Sequence, residues 1–227
     1  MKIDVLPDPD AVARRAAEHV AGAARAAVLA RGRCVLAVSG GRTPWAMLRA
    51  LGGEDVPWSA VHFFQVDERV APADDPDRNL THLRASLPAQ AQLHAMPVEA
   101  RELEAAAADY ARELARVAGL PAVLDLVHLG LGPDGHTASL VPGDAALGVA
   151  DRDVAVTGPY QERRRMTLTY PALDRAREIL WLVTGADKAP MLARLRDGDR
   201  SIPAGRVRGE RALALVDRAA AAALERH

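Results

Sequence analysis

Sulfur and aromatic rings are scarce in this chain of 227 residues, which carries one cysteine, Cys34, and only 4% Phe, Trp and Tyr. Cys34 has no partner for an intramolecular disulfide. Its place inside an apolar run reads as a buried structural thiol in a reducing compartment. Lysine is nearly missing too, Lys2 and Lys188 standing among 29 basic residues. Charge of either sign almost cancels, 29 basic against 30 acidic residues for a net charge of −1. No global field therefore exists to attract nucleic acid or an anionic membrane, and an anionic ligand has to be held locally. No apolar stretch approaches the ~20 residues of a membrane span. The opening Met1-Lys2-Ile3-Asp4 lacks the charged-then-apolar pattern of a secretory signal, so a cytoplasmic protein without membrane contact is expected. The seven histidines and one cysteine form no H-E-x-x-H or paired C-x-x-C, and no metal is expected.

What is present is an ordinary globular composition, 49% hydrophobic and 26% charged, which excludes a largely disordered chain. With no repeat or composition break, residues 1–227 are expected to form a single domain, a size that α/β domains often reach undivided. Val12, Ala16, Val20, Ala23 and Ala27 recur at helical spacing between Asp8 and Gly32, predicting a long amphipathic helix. Cys34–Val38 follows as a short apolar run, the mark of a strand buried on both faces. The alternation continues with strands near 61–66, 126–129, 166–168 and 179–183, helices near 79–86 and 103–117, and a closing alanine-rich segment from Val216 to Leu224. This pattern predicts an open, mostly parallel, Rossmann-like α/β sheet with helices on both faces. Ligands collect beyond the carboxyl ends of such strands, which singles out the segments after each apolar run.

Ser39-Gly40-Gly41-Arg42-Thr43-Pro44 follows the first of these strands. Two glycines let backbone approach a ligand, Thr43 can cap a helix, Pro44 suits its first turn, and free amides beside Arg42 can cradle a phosphate. The same residues also make an ordinary strand-to-helix turn. Asp67-Glu68-Arg69 follows the second strand and can orient a polyol and steady developing negative charge, or be a solvated loop. The run Asp74, Asp75 and Asp77 lacks the glycine and closing glutamate of a calcium loop.

The third segment, Gly130 to Leu140, contains a formal G-x-G-x-x-G, yet Pro142 and Gly143 break it before a crossover helix can form, which argues against a dinucleotide site. It reads better as a tight loop presenting Asp134 and His136. An imidazole can take a proton from water while a nearby carboxylate orients the ring. His62 and His128, each inside an apolar strand, read as packed core residues. Ser39 and Ser139 lack the G-x-S-x-G elbow, which leaves water as the natural nucleophile. Arg165, opening a strand, and Lys188, at a helix start, can reach a shared crevice or remain surface cations.

Together, Ser39 to Pro44, Asp67-Glu68-Arg69, Gly130 to Leu140, Arg165-Met166-Thr167-Leu168-Thr169 and Gly185-Ala186-Asp187-Lys188 resemble the 6-phosphogluconolactonases over most of the chain. The resemblance implies a fold like that of glucosamine-6-phosphate deaminases. It implies hydrolysis of 6-phospho-D-glucono-1,5-lactone in the oxidative pentose phosphate pathway without a cofactor. By the same resemblance His136 is the water-activating base, Asp134 its partner, Asp67 and Arg69 line the lactone site, and Gly40, Gly41, Arg42, Thr43, Arg165 and Lys188 hold phosphate. Arg78, before Asn79, departs from the family pattern, where serine is frequent. A related amino-sugar deaminase-isomerase is the enzymatic rival, but its family typically shows His-Ile-Ala-Phe-Asn-Glu and Asp-Glu-Tyr in place of His136-Thr137-Ala138-Ser139-Leu140 and Asp67-Glu68-Arg69. A non-catalytic sugar-phosphate sensor is the rival from another class; it needs a DNA-binding partner module, for which the sequence shows neither room before the first strand nor a basic patch.

Overall fold

The computed structural model describes residues 1–224. In chain order the elements are β1 (Lys2–Leu6), α1 (Pro9–Arg31), β2 (Cys34–Val38), α2 (Arg42–Leu51), β3 (Val61–Gln65), β4 (Asp67–Arg69), α3 (Asn79–Ser86), β5 (Gln92–His94) and α4 (Leu103–Ala118). They continue with β6 (Leu126–Leu129), β7 (Val154–Val156), β8 (Arg165–Leu168), α5 (Tyr170–Asp174), β9 (Ile179–Val183), α6 (Ala189–Arg196), β10 (Ala212–Asp217) and α7 (Arg218–Ala221).

Local chemistry sets the first helix. Asp8 accepts a hydrogen bond from the Ala11 amide at 2.7 Å, Pro9 pre-sets the first turn, and Gly32 stops the helix at φ 74°. The buried face, Val12 to Ala27, is mostly alanine and lies in one apolar cluster with α2 and one side of the sheet.

Seven strands form a parallel sheet in the order β1-β10-β9-β6-β2-β3-β5. Side chains alternate between its faces as the pleat requires. Cys34, Leu36, Val38, Leu180 and Leu182 join α1 and α2 on one side. Val35, Ala37, Val127, Leu129 and Trp181 join α4 on the other. Successive strands run outward in one direction from β2 through β3 and in the other from β6 through β9. The crevice therefore opens between the carboxyl ends of β2 and β6, where the order reverses.

Several expectations need correction. The strand at Met166–Leu168 is not part of the main sheet: with Arg165 it forms β8, the centre of a separate antiparallel sheet ordered β4-β8-β7. Asp67-Glu68-Arg69 is likewise a strand rather than a loop, with Asp67 opposite Thr167 and Arg69 opposite Arg165. The alanine-rich end from Val216 begins as the last residues of β10, and only Arg218–Ala221 is helical. Val216 pairs with Val183 on one side and Val5 on the other, so sheet pairing overrides the helical preference of alanine. Burial pushes the Cys34 thiol up to about 12, as suits a packed, unreactive cysteine. Among the described residues no helix is long and apolar enough to cross a membrane.

Candidate active site

At the switch point lies a cavity of about 350 Å³. Its wall includes nine residues singled out in the sequence: Gly40, Gly41, Arg42 and Thr43 after β2, Asp67 and Arg69 on β4, His136 after β6, Arg165 on β8, and Lys188 after β9. Asp134 is not in the wall; it stands behind His136. Among the described residues, four cations, Arg42, Arg69, Arg165 and Lys188, face one carboxylate, Asp67, so a chain of nearly neutral total charge concentrates positive charge here.

The loop after β6 is built around the imidazole. The Gly132 amide donates to His136 O at 2.8 Å and the Gly135 amide to Gly132 O at 3.0 Å, closing a tight turn with Gly135 at φ 81°. His136 lies directly against the α-carbon of Gly132, where any β-carbon would overlap the ring. From the outside, the Ala204 amide donates to Gly135 O at 2.9 Å and Ile202 packs on Gly135. No crossover helix follows this loop, only a short 3-10 turn at Ala145–Gly148, so its three glycines serve a different end from a dinucleotide fingerprint.

Asp134 Oδ1 lies 2.5 Å from His136 Nδ1 and also accepts the His136 backbone amide at 3.1 Å. Burial acts to raise the Asp134 carboxyl, but the His136 amide bond and the adjoining imidazole bring it below the usual carboxylate value. An ionised carboxylate only accepts, so Nδ1 carries the proton and the lone pair resides on Nε2. That is the tautomer a general base requires.

The small sheet supplies the opposite wall. Asp67, 6% exposed, accepts from Ser139 Oγ at 2.6 Å, and burial pushes its carboxyl above the usual range despite this bond and Arg165. Burial, the largest influence on Arg165, draws its guanidinium below the ordinary arginine value. Its Nη2 donates to Gln161 Oε1 at 3.1 Å, while its buried Nε has no hydrogen-bond partner among the described residues.

Asn79, a wall residue not anticipated, donates from Nδ2 to Asp67 O at 2.9 Å and accepts from Arg69 Nη1 at 3.3 Å. It also touches the α-carbon of Gly40, linking β4 to the loop after β2. Thr43 differs from its expected role. Gly41 holds the cap position, Thr43 sits inside the first turn of α2, and its hydroxyl pairs with Thr184 Oγ1 at 2.8 Å across the crevice. Thr184 and Lys188, both after β9, complete this end. His128 is buried in the sheet as expected, accepting the Ser39 amide on Nδ1 at 3.2 Å, and it also contributes to the cavity wall. Burial pulls its imidazole down to about 3, which keeps it neutral. His62 is half-buried at a different place, its Nδ1 3.0 Å from His94 Nε2.

The sequence of the chain matches the family pattern of the glucosamine-6-phosphate isomerases/6-phosphogluconolactonase over residues 7–215. The 6-phosphogluconolactonase of Mycobacterium tuberculosis is 39% identical over 242 residues, covering 98% of this chain and 98% of that one. The chain belongs to this family. Among solved structures, the 6-phosphogluconolactonase of Trypanosoma brucei superposes with a TM-score of 0.87 at 27% identity, covering 98% of each chain. A monomeric glucosamine-6-phosphate deaminase superposes with a TM-score of 0.85 at 19% identity, over 98% of this chain and 100% of that one, a likeness of fold alone.

Within this family member the departure at Arg78 has a structural answer. Arg78 does not line the cavity; it is 1% exposed and lies beneath it. Its Nη1 donates to Ala71 O at 3.0 Å and Glu99 Oε1 at 2.7 Å, and its Nε lies 3.3 Å from Oε2 of the fully buried Glu68, an ion pair without hydrogen-bond alignment. Glu68 in turn accepts from Gln65 Nε2 and from the amides of Arg69, Asn79 and Leu80, at 2.8, 2.8, 2.9 and 2.8 Å. It thereby caps α3 and ties that helix to β4. Arg78→Met strips the counter-charge from a buried carboxylate. Unfolding stability should fall by about 3 kcal/mol, the low end for breaking a buried pair because four N–H donors remain. Urea unfolding checks this, and an unchanged midpoint would show that Arg78 does not support Glu68.

Proposed function

We propose that this cavity hydrolyses 6-phospho-D-glucono-1,5-lactone to 6-phosphogluconate, a step of the oxidative pentose phosphate pathway. One observation carries the reading: an imidazole oriented by Asp134 at the rim of a cavity in which four cations face a single carboxylate. The names of the relatives agree with it.

His136 Nε2 takes a proton from water as the water oxygen bonds to the lactone carbonyl carbon. The carbonyl oxygen becomes an oxyanion, which the guanidinium of Arg69 or Arg165 steadies. The tetrahedral carbon then expels the ring oxygen, which takes the proton back from His136. The ring opens to a hydroxyl and a carboxylic acid, and the acid ionises. Asp134 holds the imidazole in its productive tautomer and stabilises the transient imidazolium. Asp67, kept in place by Ser139, orients substrate hydroxyls and offsets the neighbouring guanidiniums. At the other end the phosphate meets Gly40, Gly41, Arg42 and Thr43 at the start of α2, together with Lys188. An anion-holding role for Arg165 fits its unpartnered Nε.

A lactone is an activated ester, so a positioned base contributing ~10²- to 10⁴-fold suffices for useful turnover. The deaminase-isomerase reading finds no comparable support, since the residues after His136 and at Arg69 differ from that pattern. We place the activity in the cytoplasm, on the buried free thiol, and assign no nucleic-acid partner, on the near-zero net charge. The deciding assay is 6-phosphogluconate formation from freshly generated lactone, corrected for spontaneous hydrolysis, run beside ammonia release from glucosamine 6-phosphate. Turnover of the lactone is expected; ammonia release with background lactone hydrolysis would replace this reading with its rival.

A further inference from the structure

The hairpin joining β7 to β8 reaches over the catalytic loop, and its tip holds Tyr160. The Tyr160 amide donates to Arg163 O at 3.0 Å and the Arg163 amide to Tyr160 O at 3.3 Å, closing a two-residue turn. The turn residues, Gln161 and Glu162, have φ of 51° and 65°. This is the left-handed, type I′ geometry usually filled by Asn-Gly, and it is costly for side chains with a β-carbon. Strain of this kind persists where surrounding contacts fix it and clusters at functional sites.

The contacts that fix it are specific. Arg163 Nη1 donates to Asp75 Oδ2 at 2.7 Å, fastening the tip to the segment between β4 and α3. Gln161 Oε1 accepts from Arg165 Nη2. Between these anchors the half-buried Tyr160 meets three members of the site. Its hydroxyl lies 3.3 Å from Asp134 Oδ2. Its ring stands against the His136 imidazole with centroids 5.6 Å apart at 65°. The Arg165 guanidinium carbon lies 5.1 Å from its centroid.

We infer that Tyr160 is a positioning residue for the Asp134–His136 pair, an inference that rests on the lactonase reading of the site. Asp134 Oδ1 is taken by His136, and the Tyr160 hydroxyl donates to the other oxygen, which fixes the rotation of the carboxylate. The aromatic ring restricts the imidazole from the side, and its contact with Arg165 couples the base to the cationic wall. Tyr160 takes no proton and forms no bond to substrate; it acts through Asp134 and His136.

The test compares Tyr160→Phe, which keeps the ring, with Tyr160→Leu, which removes it, and sets Asp134→Asn beside the double variant Asp134→Asn/Tyr160→Phe. Tyr160→Phe should lower kcat about 3- to 10-fold, the worth of one hydrogen bond. Tyr160→Leu should lower it further. In Tyr160→Phe, which keeps the ring against Arg165, KM for the lactone and inhibition by inorganic phosphate should match wild type, and the double variant separates this loss from a lowered folded fraction, which would act equally in both backgrounds. In the Asp134→Asn background the Phe substitution should cost nothing more, because the hydroxyl acts through that carboxylate. An active wild type with Tyr160→Phe at full kcat, or with additive losses in the double variant, overturns the inference alone. A wild type without lactone turnover overturns the reading of the site and this inference with it.

Discussion

His136→Ala should lower kcat for lactone hydrolysis by roughly 10²- to 10⁴-fold, the ordinary contribution of a positioned general base. The binding of 6-phosphogluconate should change little. The imidazole reaches the cavity from the loop after β6, whereas the glycines, Arg42, Thr43 and Lys188 come from the ends of β2 and β9. Losing the ring removes a proton acceptor and opens room for solvent, but it leaves the anion-holding groups where they are. Calorimetric titration with 6-phosphogluconate beside the kinetic assay separates the two effects. A variant that hydrolyses lactone at the wild-type rate would remove His136 from the mechanism. One that loses product binding as well would place the imidazole among the binding groups.

Gly132→Ala is expected to reproduce most of that loss without deleting any functional group. A β-carbon on residue 132 would occupy space already held by Nδ1, Cε1 and Cγ of His136. The backbone of Gly132 is not in the left-handed region, so alanine is tolerated locally and the overlap is with a movable side chain. The ring therefore swings, and its contact with Asp134 breaks. A displacement of ~1 Å at a reacting group can cost about 10²-fold, and a comparable fall in kcat is expected here. The unfolding midpoint should remain close to wild type, because a side chain at the rim can turn toward solvent. Full activity in Gly132→Ala would mean that the orientation fixed by Asp134 is not the one used in turnover. The pair of variants is informative together: one removes the base, the other misplaces it.

Much of this architecture could be read from residue spacing. The helix from Asp8 to Gly32 carried its cap, its first-turn proline and its glycine stop in sequence, β2 and β9 were continuous apolar runs, and β6 was apolar but for His128. Short strands such as β1, β5 and β7 escaped, and two more did so because their local chemistry points elsewhere. Ala212–Asp217 is half alanine and aspartate, yet it is an interior strand of the sheet because β1 and β9 flank it. Asp67-Glu68-Arg69 reads as a solvated triplet, yet antiparallel pairing with β8 and the amides at the start of α3 bury its first two members. Strand identity there is a tertiary property, beyond the reach of a propensity.

The site divides in the same way. Residues presented by glycine-rich turns at strand ends, such as Gly40, Arg42 and His136, were visible because the turn itself leaves a sequence mark. Asn79, Thr184, Tyr160 and His128 were not, since each reaches the site from a segment with no special spacing of its own. Asp134 could be paired with His136 by proximity, but that it stands outside the cavity wall needed coordinates. Arg78 was visible only as an oddity, and its meaning, a counter-charge for Glu68, depends on a carboxylate ten residues away.

The crevice between β2 and β6 also sets when this protein can first work. Its wall draws on segments from Ser39 to Lys188, and the hydrogen bond between Thr43 and Thr184 spans 141 residues. Such distant contacts form late, after the entropy of closing long loops has been overcome. A growing chain that has wound α1 and set β2 beside β3 still lacks His136, Arg165 and Lys188 from the wall. The wall is complete only once β9 lies beside β6 and carries Thr184 and Lys188 to the crevice, so a chain cut before β9 is expected to show no lactone turnover above background.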